Sequence, residues 1–156
     1  MGVDPLSFVQ SLDLDDLTPP FRPVSAIVAG DLELRPVQKY YYTEARVPCY
    51  EFQMLVDGED AGTFQVRIET DFENVRDVGN VGIEVKRRYH GRDLPWRATD
   101  ALLPLFREHG IETILITCDA GKDAIRRACE HLSASYLDTI ETHAAGVQRD
   151  RFVLDL

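Results

Sequence analysis

Between His90 and Ala98 the sequence HGRDLPWRA joins a strand-like run, NVGIEVKRRY, to a helix-like run, WRATDALLPLFREH. A strand-to-helix turn can bind an anion, because the free N–H groups of the first helical turn converge there with the positive end of the helix dipole. Lys86, Arg87 and Arg92 stand beside this turn as cations able to pair with phosphate oxygens. Asp93 and Pro95 work against such a site: one adds a carboxylate, the other removes an N–H donor. Asp93 also reads as an N-cap whose carboxylate accepts bonds from the first-turn amides and so fills the anion hole. The turn is therefore either an adapted anion cradle or a plugged one.

Other groups could move protons. Glu84 alternates with Val81, Ile83 and Val85, so it faces away from that apolar set. Were its face to line a cleft, its carboxylate could take a proton from an ammonium, directly or through water. On a solvated sheet face it would be an ordinary surface residue. Glu69 and Asp71 are weaker acids of the same kind, and Tyr136 could act as acid or contact an acceptor unless it is a half-buried strand tyrosine. Cys118 and Cys129 could form a redox pair if the fold brings them together.

Composition limits what these groups can serve. The 156 residues suit one domain, and a net charge of −10 argues against nucleic acid, whose phosphates need clusters of Lys and Arg. Three cysteines without CxxC spacing suit reduced thiols in a cytoplasmic protein. Four scattered histidines form no metal pattern, and no apolar run reaches membrane-spanning length.

The elements that must position these residues follow from periodicity. Residues 1–25 read as an N-terminal extension and 26–156 as the domain. LELRPV (32–37), YEFQMLV (50–56), GTFQVRIE (62–69) and NVGIEV (80–85) read as strands, with Asp57-Gly58 turning the second into the third. Residues 95–109 read as a buried helix that opens on Pro95 and stops at Gly110, with Pro104 either kinking it or shifting its hydrogen bonding. ETILITCD (112–119) is a doubly covered strand, KDAIRRACEHL (122–132) an amphipathic helix, and 136–140 and 151–156 closing strands. The order β-β-β-β-α-β-α-β-β gives an α/β fold with a mixed sheet.

From about Tyr50 to Leu156 the chain resembles a bacterial branch of the GNAT family of N-acetyltransferases. GNVGIEVKRRYHGR is similar to the family's fourth strand and pyrophosphate loop. HGIETILITCD follows at the family's spacing for its fifth strand, and DAGKDAIRRACEHL resembles its D-x-x-N-x-x-S-R-R-x-x-E helix, with Asp119, Arg126, Arg127 and Glu130 in place. The resemblance implies a splayed sheet with acetyl-CoA between the fourth and fifth strands and direct attack of an amine on the thioester. It implies cofactor contacts at Val85, Arg87, His90, Gly91, Arg92, Asp93, Leu94 and Lys122, with Glu84 and Tyr136 as catalytic candidates. The family's Arg/Gln-x-x-Gly-x-Gly/Ala positions fall on His90, Asp93 and Pro95, its helix asparagine and serine on Lys122 and Ile125, and its thiolate-protonating tyrosine on Cys129.

The two helices that usually follow the first strand and wall the acceptor site have no room within QKYYYTEARVPC. Tyr40, Tyr41 and Tyr42, or the N-terminal segment folded back, would stand in for them. Two functions remain open: an acetyl-CoA-dependent N-acetyltransferase acting on a small-molecule or protein amine, or an inactive domain of the same fold serving as an interaction or ligand-binding module. No nucleic-acid or membrane partner is expected, and a homodimer is left open.

Overall fold

Tyr50, Phe52 and Met54 are buried while Glu51 and Gln53 between them are not, so the alternation of this strand sorts its side chains onto an apolar and a polar face. The computed structural model describes residues 10–12, 20–42, 46–121, 123–144 and 146–156. Its strands are β1 (Gln10–Leu12), β2 (Ile27–Ala29), β3 (Leu32–Tyr42), β4 (Val47–Val56), β5 (Glu59–Arg67), β6 (Val81–Val85), β7 (Thr113–Asp119), β8 (Ser135–Glu141) and β9 (Gln148–Asp155). Two helices, α1 (Leu94–Glu108) and α2 (Asp123–His131), flank β7 in the chain. The order agrees with the one read from periodicity, with two short strands, β1 and β2, added in front.

β1 and β2 both pair with β3, and β3 to β6 follow as an antiparallel meander. Asp57 and Gly58 both have positive φ (50° and 82°), the geometry of the tight hairpin that Asp-Gly encodes. The first long strand extends five residues past its expected end, through Tyr42, and β4 starts at Val47. The Tyr40–Tyr42 run is thus strand rather than loop, and the two helices have no place between β3 and β4. Pro36 is tolerated inside β3 because β1 pairs only with Lys39–Tyr41 and β2 only with Leu32–Leu34, leaving its other side without a ladder among the described residues.

The sheet expected to splay between its fourth and fifth strands parts there, at β6 and β7, into two, and every ladder among the described residues is antiparallel. The second has the order β7-β9-β8. The reason lies at Asn80, which is fully buried. Its backbone N–H donates to the Leu115 carbonyl at 2.7 Å, and the Leu115 N–H donates to its Oδ1, also at 2.7 Å. Its Nδ2 donates to the carbonyls of Arg67 (3.0 Å) and Glu69 (2.9 Å). One side chain therefore completes the hydrogen bonding where β6 meets β7, in place of a continuous ladder. Gly79 makes the approach feasible: its φ is +72°, and a Cβ there would lie 2.6 Å from the Leu115 carbonyl oxygen.

Leu94, Ala98, Leu102 and Phe106 recur at helical spacing and bury α1 in the core with Phe52, Phe64 and Ile114. The helix runs unbroken through the exposed Pro104 and ends at Gly110, whose φ of +74° accompanies the Ile111 N–H to Phe106 carbonyl bond at 3.1 Å. Phe21 packs edge-on against Tyr41 and Tyr50, and the Arg22 N–H donates to the Tyr50 hydroxyl at 2.8 Å. The last residues of the expected extension are thus part of the packed domain.

Candidate functional site

A cleft of about 650 Å³ lies between the two sheets, on the far side of the Asn80 tie. Gly82 to Val85 of β6 form one wall, and Ile116 to Asp119 of β7 with Ile125, Ala128 and Cys129 of α2 form the other. Because β6 and β7 share no ladder there, their facing backbone edges border the cleft instead of each other. Thr63, Gln65 and Arg67 alternate along β5, and register places Thr63 opposite Glu84 and Gln65 opposite Gly82. These residues continue the polar sheet face that Glu51 and Gln53 begin. Glu84 lies on it, exposed and in the cleft wall.

The turn His90–Trp96 borders the cleft where β6 passes into α1. A one-turn helix at Arg87–Tyr89 and a bond between His90 Nε2 and the Val85 carbonyl (3.0 Å) fold the chain back on the strand end. Gly91 follows with φ +83° and nothing within 4 Å of the position its Cβ would take. Asp93 then adopts φ +60° and ψ 22°, a left-handed conformation that glycine takes readily and Asp tolerates. Its side chain makes no capping bond; its carbonyl accepts the Arg97 N–H at 3.1 Å. The expected carboxylate cap is therefore corrected: a left-handed residue does not direct its side chain at the first-turn amides as an extended N-cap does. Among the described residues, nothing accepts a hydrogen bond from the amides of Gly91, Arg92, Asp93, Leu94 or Trp96.

Beside the turn lies a second groove of about 220 Å³, bordered by Asp93, Trp96, Arg127 and His131, with the Trp96 and His131 rings stacked at 3.7 Å. Arg127 lines both cavities and has no carboxylate partner among the described residues. Its neighbour Arg126 is committed elsewhere, to the buried Asp150 at 2.6 Å. That guanidinium, with the Thr139 hydroxyl as the larger cause, holds the Asp150 carboxyl below the usual carboxylate range.

The structure gathers some of the expected residues and separates others. Glu84, Val85, His90 and Gly91 line the cleft, and Asp93 lines the adjoining groove. Arg87 and Arg92 are exposed at the turn, with the Arg92 guanidinium over the Tyr89 ring at 5.3 Å. Leu94 is fully buried, so only its amide is suited to the turn. Lys122 lies outside the described residues. Tyr136 does not line the cleft; it is 56 % exposed on β8 and bonds the Thr139 hydroxyl. Glu69 and Asp71 are spent on local turns, bonding Thr70 and Glu73 amides respectively. Cys118 and Cys129 are free thiols in the cleft wall; burial pushes both up, Cys129 to about 12, so both keep their protons at neutral pH.

Arg67, Gln65 and Gly82 were not anticipated. Arg67 and Gln65 sit between the apolar Phe64, Val66 and Ile68, a pattern that reads as an ordinary solvated strand face.

No family model and no curated protein sequence matches the chain. Among solved structures it is similar to an acetyltransferase from Salmonella typhimurium that modifies the N-terminal serine of the 50S ribosomal subunit protein L7/L12. The TM-score is 0.64 at 14 % identity, over 85 % of this chain and 99 % of that one. RimL, a ribosomal L7/L12 alpha-N-protein acetyltransferase in complex with coenzyme A, aligns over 85 % and 98 % of the two chains at 12 % identity and TM-score 0.64. The microcin C7 self-immunity acetyltransferase MccE, in complex with acetyl-CoA and AMP, covers 69 % of this chain and 61 % of its own, at 11 % identity and TM-score 0.56. At these identities the likeness is one of fold.

Proposed function

We propose that this chain, which has the fold of the acetyltransferases, transfers an acyl group from acetyl-CoA to an amine. The observation that carries the reading is the turn itself: unbonded amides at the start of α1, beside a cleft between splayed strands, with no carboxylate bonded into them. Such a turn suits a pyrophosphate. The amides of Gly91, Arg92, Leu94 and Trp96 would hold it, with Arg127 as the balancing cation. The facing edges of β6 and β7 would pair with the amide groups of the pantetheine arm.

Acetyl-CoA supplies a thioester carbonyl, at which an amine forms a C–N bond as the C–S bond breaks. Glu84 would take the proton that the attacking ammonium must lose, because it stands on the polar face from which an acceptor can reach the cleft. Only residues 43–46 separate β3 from β4, too few for helices that would wall that face. Replacing Glu84 with glutamine should lower kcat roughly 100-fold or more while leaving the acetyl-CoA Kd unchanged. A thiol-release assay over a panel of amines reads this; an unchanged kcat would remove Glu84 from the mechanism.

Asp93→Gly tests the state of the cradle. With no plug to remove, the change takes away only a nearby negative charge and the left-handed strain. Acetyl-CoA binding should tighten by less than about tenfold, the scale of one partly screened charge. A gain far beyond that in a calorimetric titration would mean that Asp93 does close the site.

A further inference from the structure

We propose that Arg67 recognises a carboxylate on the acceptor, so that the amine acetylated here is an amino acid or a similarly short amino carboxylate. The inference rests on the acyl-transfer reading and adds the substrate class.

Arg67 ends β5, is only 5 % exposed, and lines the cleft. Its Nη1 donates to the carbonyls of Val78 (3.3 Å) and Gly79 (3.2 Å), and its Nη2 donates to Gln65 Oε1 (2.7 Å). The Tyr42 ring covers the guanidinium at 4.6 Å. Every one of these partners is neutral, and no carboxylate of the described residues pairs with it. Glu51 reaches it only through the Gln65 amide, which donates to Glu51 Oε1 at 3.2 Å. Nε is buried with no hydrogen-bond partner at all.

A guanidinium cannot shed its charge by losing a proton, and a buried cation without a counter-ion is costly. Nε–H is sealed in the packing, and the second Nη2–H remains as the donor for a carboxylate in the cleft, with the uncompensated guanidinium charge behind it. Gly82 makes room for the guanidinium itself: a Cβ there would stand 2.6 Å from Nη2.

Position on the sheet sets the length of the ligand. The guanidinium lies over Gly82, two residues before Glu84 on the same face, a step of roughly 7 Å along a strand. An amine at Glu84 and an acid at Arg67 are then separated by only a few bonds. A polyamine or a plain alkyl amine would leave the buried cation unpaired.

The test supplies acetyl-CoA with matched acceptors: the α-amino acids, β-alanine and γ-aminobutyrate against their carboxamides and decarboxylated amines. Acetylated product is read by mass spectrometry, and acetyl-CoA binding is measured separately by calorimetry. The expected result is kcat/KM at least about 10-fold higher for the acid than for its carboxamide, the scale of a charge-assisted bond. Arg67→Lys and Arg67→Gln should shrink that ratio towards one without weakening acetyl-CoA. The wild-type comparison stands even if these variants fold poorly. Equal rates for acid and amide, or acetylation of acid-free amines alone, would overturn the acceptor assignment and leave acyl transfer intact. Bound acetyl-CoA with no acid acetylated would overturn it too. Absence of acetyl-CoA binding would overturn both readings together.

Discussion

Asn80→Leu should destabilise the fold by about 4 kcal/mol, because it orphans two buried backbone groups and one partly buried one at about 1–3 kcal/mol each. The Leu115 N–H loses its acceptor, and the Arg67 and Glu69 carbonyls lose their donors. Leucine has the branching of asparagine with bulkier ends, so no cavity forms and some overpacking adds to the lost polar satisfaction. Asn80→Asp should fare little better: it keeps an acceptor for Leu115 but turns a carboxylate towards two carbonyl oxygens. For a chain of this size the melting temperature should fall by roughly 10 °C. Urea unfolding checks the free energy directly. A loss below about 1 kcal/mol with an unchanged slope would mean that Asn80 is not what ties the sheets together. Activity should fall further than the unfolded fraction explains, since the same side chain sets where β6 and β7 begin to part.

Arg127→Glu should weaken acetyl-CoA about 100-fold, with Arg127→Ala near tenfold, from the loss and then the reversal of a charge-assisted contact. The geometry makes the experiment clean. Arg127 is exposed on α2, lines both cavities, and pairs with no carboxylate among the described residues, so the melting temperature should hardly move. Arg126→Ala is the contrasting control. It breaks the pair with buried Asp150 and should lower stability while changing affinity little. Should both arginines prove equally dispensable for binding, the pyrophosphate would have to lie elsewhere than beside α2.

The legible part of the fold was its periodicity. Alternation in β4 to β6, the Asp-Gly hairpin and the Gly110 stop all reflect local chemistry that a sequence carries on its face. The parting of β6 from β7 was implied by the resemblance and not by periodicity, because it depends on a single asparagine whose partners are 13 and 35 residues away. The Tyr40–Tyr42 run was read as loop because its strand is stabilised by pairing with Val47–Cys49 and with β1 rather than by its own pattern. The turn and Glu84 were singled out from residue type and spacing; they border the cleft, and Asp93 borders the groove beside it. Its conformation was not accessible: aspartate serves both as an extended cap and in left-handed turns, and only the backbone decides between them. Arg67 was missed for a related reason, since burial by a distant ring and hinge carbonyls leaves no trace in a strand's alternation.

Calorimetric titration of the purified protein with acetyl-CoA, and separately with CoA, at low and at moderate salt tests the central claim most directly. An open cradle of backbone amides and Arg127 predicts micromolar binding of both, weakening as salt rises because the pyrophosphate contact is electrostatic. No binding of either at millimolar concentration would contradict it, and would leave a domain with the acetyltransferase fold and no acyl donor.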